Sequence, residues 1–469
     1  MFNAVPKEIK VALLMAASLF MEMLDGTIVI TALPEISRYF SIGAATVALL
    51  VSVYLITSAV FIPLSGWMVH RFGKKKIWSI AIIAFTLSSL ANAVAPNFYI
   101  LLITRIIQGI SGSMMIPTAR LIVLEKTPSS KLLKMVGYLI WPALIAPAIA
   151  PIIGGVIVTY WNWQWIFLIN IPIGIIVTLL GYKTIEPDKA DKSSVFDLKG
   201  FIEIAAASGL ILAGAELATH GVYYWSIALI FVVFGLLLGI IVFKHLKKAV
   251  HPLFSIDALQ VVSFKICQTS GSVLWLCVGA LPYILTVFLQ TVFQWSAVKA
   301  GSYVLFIFIG NIGIKPFTNF IIRHLGYRSA LLLSFGMIFI TSIALAFITP
   351  DTFAMYIMLL ALISGAGRSL ALTCYNGLSF SEIKSKYRNS ANTLNAVIQT
   401  LAQGLGISLI TVVVDLLQLY FSTAVSYKLG FIFLGVLILF PIIEVMVLPK
   451  NIGQTTLIGG EENVSRHIR

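Results

Sequence analysis

Pro63-Leu64-Ser65-Gly66-Trp67-Met68-Val69-His70-Arg71-Phe72-Gly73-Lys74-Lys75 closes a long apolar run with a proline, basic residues and a glycine turn. The same punctuation returns 253 residues later as Pro316-Phe317-Thr318-Asn319-Phe320-Ile321-Ile322-Arg323-His324-Leu325-Gly326-Tyr327-Arg328. The proline, a basic residue before the turn, the glycine and the basic residue two after it all recur. Each copy ends an apolar run of about 20 residues, the length of one helical membrane crossing. The recurrence predicts two related halves of six spans each, spans 1–6 and 9–14, with spans 7 and 8 inserted between them. Parallel halves of this kind enclose a cavity near the bilayer midplane in secondary transporters. The plainer alternative is that proline, glycine and basic residues mark any exit from a membrane.

Outward from those turns the chain is 59% hydrophobic and 11% charged, with a mean hydropathy of +0.99 over 469 residues. A soluble chain carries about 25% charged residues, so the expected solvent is lipid. Apolar runs fall near 11–33, 46–69, 77–95, 99–124, 134–158, 164–185, 198–218, 224–243, 264–290, 299–322, 328–348, 353–377, 392–417 and 427–448. The thirteenth is interrupted by Asn392, Asn395, Gln399 and Gln403. The apolar/polar alternation of a membrane β-barrel is absent, which leaves helices as the spanning element. Of the 32 Lys and Arg, 25 fall at the termini or in loops after even-numbered spans. Only Arg38, Lys299 and Lys428 fall on the other side, and Arg105, Arg120, Lys315 and Arg368 lie within spans. Positive residues stay cytoplasmic. An even number of spans with both termini inside is therefore expected, and the net charge of +14 reads as topology rather than nucleic-acid binding. The first run follows Lys7 and Lys10 without a small-residue cleavage site and reads as a retained span. Cys267, Cys277 and Cys374 lie in apolar stretches without metal or redox spacing.

Further motifs are specific. Leu24-Asp25-Gly26-Thr27-Ile28-Val29-Ile30-Thr31-Ala32-Leu33-Pro34 opens the set, and Gly66 to Lys75 follows. Arg105-Ile106-Ile107-Gln108-Gly109 with Gly112 comes next, then Pro147, Pro151, Gly154 and Gly155. Trp163-Gln164-Trp165-Ile166-Phe167-Leu168-Ile169-Asn170-Ile171-Pro172-Ile173-Gly174 completes it. In order and spacing the chain resembles the major facilitator superfamily, and within it the fourteen-span drug:proton antiporters, over nearly its whole length. The family's loop motif has an aspartate where His70 stands. Its first-span motif has an asparagine at Ile30, and its fifth-span motif has glycines at Ala146 and Ala150. These departures bear on the loop-motif salt bridge and on how closely span 5 approaches its neighbour, not on the fold.

The resemblance implies an all-α polytopic membrane protein of the major-facilitator fold: 14 transmembrane helices, as two six-helix bundles plus two central helices. The expected units are 1–185, 186–250 and 251–450, followed by a cytoplasmic tail over 451–469. Glu22 and Asp25 share one face of span 1. A buried carboxylate is costly unless paired or hydrated, and two so close favour a shared proton over two full charges. Asp25 and Glu22 are thus proton-coupling candidates, with helix packing as the alternative. Arg105 lies about seven residues in from the outer end of span 4. The resemblance implicates it in proton transfer; a fixed ion pair is the alternative. Arg120, nearer the cytoplasmic end of that span, reads as structural or as an interface anchor.

Lys315 and Arg368 are the ionisable oddities of the second half, and as cations inside spans both read as candidates to face a water-filled substrate cavity. Lys315 reads as a binder of anionic groups, a repeller of cations, or a partner of Asp415. Glu216 and Glu444 read as interfacial. Tyr54 and Trp275 are candidate cavity residues. Gly66, His70, Arg71, Gly73, Pro147, Pro151, Gly154 and Gly155 are the gating candidates, with Pro142, Pro147 and Pro151 bending span 5.

The expected function is proton-coupled export of amphipathic small molecules by alternating access. The competing readings are a dedicated carrier of one metabolite, such as a siderophore or organic acid, and a non-transporting membrane sensor. No catalytic constellation, metal site, cofactor motif or phosphate loop is present in the sequence, so an ion gradient is the expected energy source. The expected partners are a small-molecule substrate, protons and membrane lipid, with no nucleic acid. The expected state is a monomer in a bacterial cytoplasmic membrane.

Overall fold

The computed structural model describes residues 6–127, 132–188, 190–191, 194–384, 387–449 and 452–453. The tail over 451–469 otherwise lies outside the described residues. The helices are α1 (Lys7–Phe40), α2 (Ala44–Phe72), α3 (Lys74–Ala93), α4 (Phe98–Lys126), α5 (Leu132–Tyr160), α6 (Trp165–Leu168), α7 (Asn170–Thr184), α8 (Leu198–Ala218), α9 (Trp225–Lys248), α10 (Val262–Thr291), α11 (Ala297–Gly313), α12 (Lys315–Leu345), α13 (Ala354–Ser381), α14 (Arg388–Gln418) and α15 (Thr423–Met446). No strand occurs among the described residues.

Among the described residues, twelve helices are long and apolar enough to cross a membrane, or thirteen if the bent α5 counts as one span. The expected count of fourteen is thus not reached by length and apolarity. The shortfall has a physical origin in the tenth and eleventh expected spans. The run expected over 299–322 breaks at Ile314, so α11 has only 17 residues. The remainder is continuous with α12, inside which Gly326 has φ 74° and ψ 165°. Only glycine takes that conformation at little cost, and the helix axis is interrupted there.

Apolar packing falls into separate groups. One core cluster draws on residues from Cys267 to Ile452, all in or after α10. Two others draw only on residues from Ala12 to Ile185. The pair α8 and α9 packs as a hairpin, and α8 lies against α2 and α14. The interrupted thirteenth run is one unbroken helix, α14. Its polar residues face other helices: Asn392 donates to Pro117 O (2.8 Å), Asn395 accepts from Gln268 (3.1 Å) and Gln399 accepts from Arg120 (3.2 Å).

Helix α5 bends by 43° between Gly137–Pro147 and Ile152–Tyr160, at the proline-rich stretch. Pro147 closes the first arm; the side chain of Pro151 lies outside the described residues. Ala146, Ala150 and Gly154 repeat every fourth residue and are buried. α5 packs on α1 along this stripe. A side chain at Gly154 would collide with Thr31 Oγ1 and come 3.0 Å from Ile28 Cγ1. Small residues at such spacing let helices approach closely in lipid. The alanines therefore still form the stripe on which α1 packs. Gly155, in contrast, has nothing within 4 Å of its would-be Cβ.

Candidate functional site

The buried charges of the first half converge on Asp25. Its side chain and that of Arg105 are both 0% exposed, and Arg105 Nη1 lies 2.7 Å from Asp25 Oδ2. Asp25 Oδ1 accepts from Gln108 Nε2 at 3.0 Å and from Asn170 Nδ2 at 2.8 Å. Gln108 in turn donates to Ser89 (2.8 Å) and accepts from Asn92 (2.6 Å) and Arg105 (2.6 Å). Arg105 Nε donates to Leu50 O at 3.3 Å, and its guanidinium lies 4.4 Å from the Tyr54 ring centre and 5.7 Å from that of Phe167. One charge-neutral network thus ties α1, α2, α3, α4, α6 and α7 together. Arg suits this centre because its flat fork serves several acceptors while stacking on rings.

Glu22 lies one turn earlier on α1, 7% exposed, with Oε2 buried and without a hydrogen-bond partner. Tyr54 Oη is likewise buried and without a partner. Both border Gly112: a Cβ there would lie 3.0 Å from Tyr54 Oη and 3.3 Å from Glu22 Oε1. Tyr54, expected to line a cavity, packs over Arg105 within this cluster. The two carboxylates are therefore unlike: Asp25 accepts from Arg105, Gln108 and Asn170, and Glu22 has no cation within ion-pair distance among the described residues.

At the turn between α2 and α3, Gly73 has φ +90°, so a side chain would be strained there. A carboxylate reaches this turn from the segment after α7. Asp188 accepts from the backbone N–H groups of Lys74 (2.7 Å) and Lys75 (3.3 Å), at the positive N-terminus of α3. Lys74 Nζ also pairs with Glu125 at the end of α4 and lies 3.8 Å from Asp188. His70 O accepts from Asp191 N at 2.9 Å, and His70 Nδ1 is 3.8 Å from Asp191 Oδ2. Arg71 is half-buried beside them.

The two groups of helices meet next to this turn. Arg388 donates to Leu124 O (3.0 Å) and Asn389 to Gly66 O (3.1 Å). A side chain at Gly66 would collide with Thr393. With Asn392 and Arg120, these bonds close α14 against the basic ends of α2 and α4.

In the second half, Lys315 Nζ donates to Thr373 Oγ1 at 2.8 Å; Asp415 is not its partner. Arg368, 4% exposed, donates Nη2 to Val278 O, and its Nε and Nη1 are buried without partners. Trp275 is partly buried against the second-half core. Glu216 accepts from Ser52 at 2.7 Å, bridging α8 to α2, and Glu444 accepts from Thr269. Gln108, Asn170 and Asp188 were not singled out from sequence. The first two stand inside motifs already quoted, so position within a motif was the available signal. Asp188 carried none.

An all-helical membrane protein with a buried ion pair between its first and fourth helices is marked as a transporter, not an enzyme, by its family. The chain belongs to the Major Facilitator Superfamily, whose family model matches residues 15–407. It is 30% identical over 406 residues to a Salmonella paratyphi A protein provisionally named multidrug resistance protein MdtD. That match covers 84% of each chain. The Salmonella typhimurium protein of the same name matches at the same identity and coverage. Two solved structures share the fold. One is the human organic anion transporter MFSD10 (TM-score 0.71, 13% identity, 94% of this chain and 100% of that one). The other is the proton:xylose symporter XylE (TM-score 0.66, 13% identity, 95% and 97%).

Proposed function

We propose that this chain exports amphipathic small molecules in exchange for protons, by alternating access. The observation that carries the reading is the pairing of unlike carboxylates on one face of α1. Asp25 is sealed against Arg105 at 2.7 Å, and Glu22 stands one turn away with a buried, partnerless oxygen. An unpaired carboxylate in an apolar site costs several kcal/mol. Glu22 therefore carries a proton while water is excluded and releases it when its surroundings hydrate. A proton reaching Asp25 removes the charge that holds Arg105, freeing α1 to move against α4. The bonds from α14 to α2 and α4 act as the closed gate, with the Gly73 turn as its pivot.

The multidrug-resistance name of the Salmonella relatives supports an export reading. Fourteen crossings remain the preferred count: twelve long helices, the bent α5, and a division of α11–α12 at Gly326 in place of the break at Ile314. Both termini lie in the cytoplasm of a bacterial cell, the protein acts as a monomer, and 1–185 and 251–450 are its two moving bundles. The experiment is dye accumulation in everted vesicles, with and without a protonophore. Asp25→Asn and Glu22→Gln are expected to abolish gradient-driven accumulation when rates are normalised to the amount of folded protein. Full activity in both variants would remove the coupling role. A dedicated acidic substrate is the second reading, favoured by the unpaired Arg368 and Lys315.

A further inference from the structure

The two halves differ in how they treat a buried arginine. In the first half Arg105 meets the carboxylate of Asp25. At the 253-residue offset between the two repeated turns, Val278 occupies the position corresponding to Asp25. Arg368 reaches that residue and finds only its backbone carbonyl. Its Nε and Nη1 are buried and have no partner. Ser364, one turn earlier on the same face of α13, also has a buried hydroxyl without a partner. Lys315 brings a second cation to α13 through Thr373 and has no carboxylate within ion-pair distance among the described residues. A buried cation without a counter-charge is costly. Here the described residues offer donors and positive charge but no paired anion.

We propose that Arg368 is the anion-recognising residue of the substrate site, with Ser364 as an accessory donor. Its ligand is an oxyanion group (carboxylate, sulfonate or phosphate monoester) on an apolar body. Nε–H and Nη1–H lie on different edges of the guanidinium, and each offers such a group a charge-assisted hydrogen bond. The partly buried Trp275, in the same helix as Val278, offers apolar surface for the rest of the molecule. This assignment rests on the transport reading and specifies the charge of the cargo.

The test uses two dyes that share a ring system and differ in charge: 1-anilinonaphthalene-8-sulfonate and the neutral N-phenyl-1-naphthylamine. Binding to the full chain in detergent is followed by fluorescence. The wild type is expected to prefer the sulfonate by at least about tenfold, with p-toluenesulfonate competing. Arg368→Gln is expected to abolish the preference while the neutral dye binds within about twofold of wild type, which also reports folding. Equal wild-type affinities, or a preference retained in Arg368→Gln, would overturn the proposal. If Arg368→Gln does not fold, Arg368→Lys is read in its place: a weakened sulfonate preference supports the assignment, and an unchanged one overturns it. Excess phosphatidylglycerol is expected to leave sulfonate binding unchanged; displacement would make the site a lipid site and overturn the cargo assignment. Dye accumulation in proteoliposomes under a pH gradient tests transport separately, so loss of transport with intact anion preference contradicts only the exporter reading.

Discussion

Asp25→Asn isolates the energetics of the sealed pair. The substitution keeps the shape and one acceptor oxygen but removes the charge. Arg105, 0% exposed, then keeps only the Gln108 and Leu50 acceptors beside the introduced amide. Removing one partner of a buried ion pair costs about 3–5 kcal/mol. The amide oxygen can still accept from Arg105, which places the expected loss near the lower end, about 3 kcal/mol, or roughly two decades in the unfolding constant. Arg105→Gln with Asp25→Asn leaves no unpaired charge, so the double variant should be more stable than Asp25→Asn alone. The coupling energy should be about 2–3 kcal/mol. The assay is unfolding by SDS titration in mixed micelles, followed by tryptophan fluorescence. A double variant no more stable than Asp25→Asn would refute the claim that an unmet charge, rather than lost packing, is the cost.

Gly154→Val should disrupt the α1–α5 contact at Thr31 and Ile28 and lower the melting temperature sharply. Gly155→Ala, one residue on with open space, should be neutral or raise stability by up to about 1 kcal/mol; a thermal scan of both separates the two. Asp188→Ala removes the carboxylate from the N-terminus of α3 and should cost about 1 kcal/mol, read by SDS titration. Restoring an aspartate at His70 in that background should recover part of the loss if the two positions serve one turn. Asn392→Ala removes the bond to Pro117 O and should weaken the closure of α14 against α4 by about 1 kcal/mol. The readout is faster labelling of a cysteine placed at Gln399.

The membrane class and the helices were legible because lipid demands runs of apolar residues, and lysines and arginines mark the turns. Asp25 and Arg105 were each legible as buried charges, and the structure brings them into contact. Their separation in sequence hid the donors that complete the network. Gln108 and Asn170 are ordinary amides until α4 and α7 are packed against α1. The stripe of Ala146, Ala150 and Gly154 was legible as small residues, yet alanine in place of glycine made a looser approach the natural expectation. Gly155 shows the opposite failure: adjacency to Gly154 does not place it on the same face. Asp188 was invisible because its role depends on where the chain after α7 runs. The span count diverged at Ile314 and Gly326, where apolarity continues while backbone geometry does not.

The central claim is tested most directly by reconstituting Asp25→Asn and wild type in proteoliposomes and measuring two rates with an amphipathic dye: accumulation driven by an imposed pH gradient, and dye-for-dye exchange without one. Proton coupling through Asp25 predicts that the variant loses driven accumulation and keeps exchange within a few-fold of wild type. Driven accumulation at the wild-type rate in Asp25→Asn would contradict it.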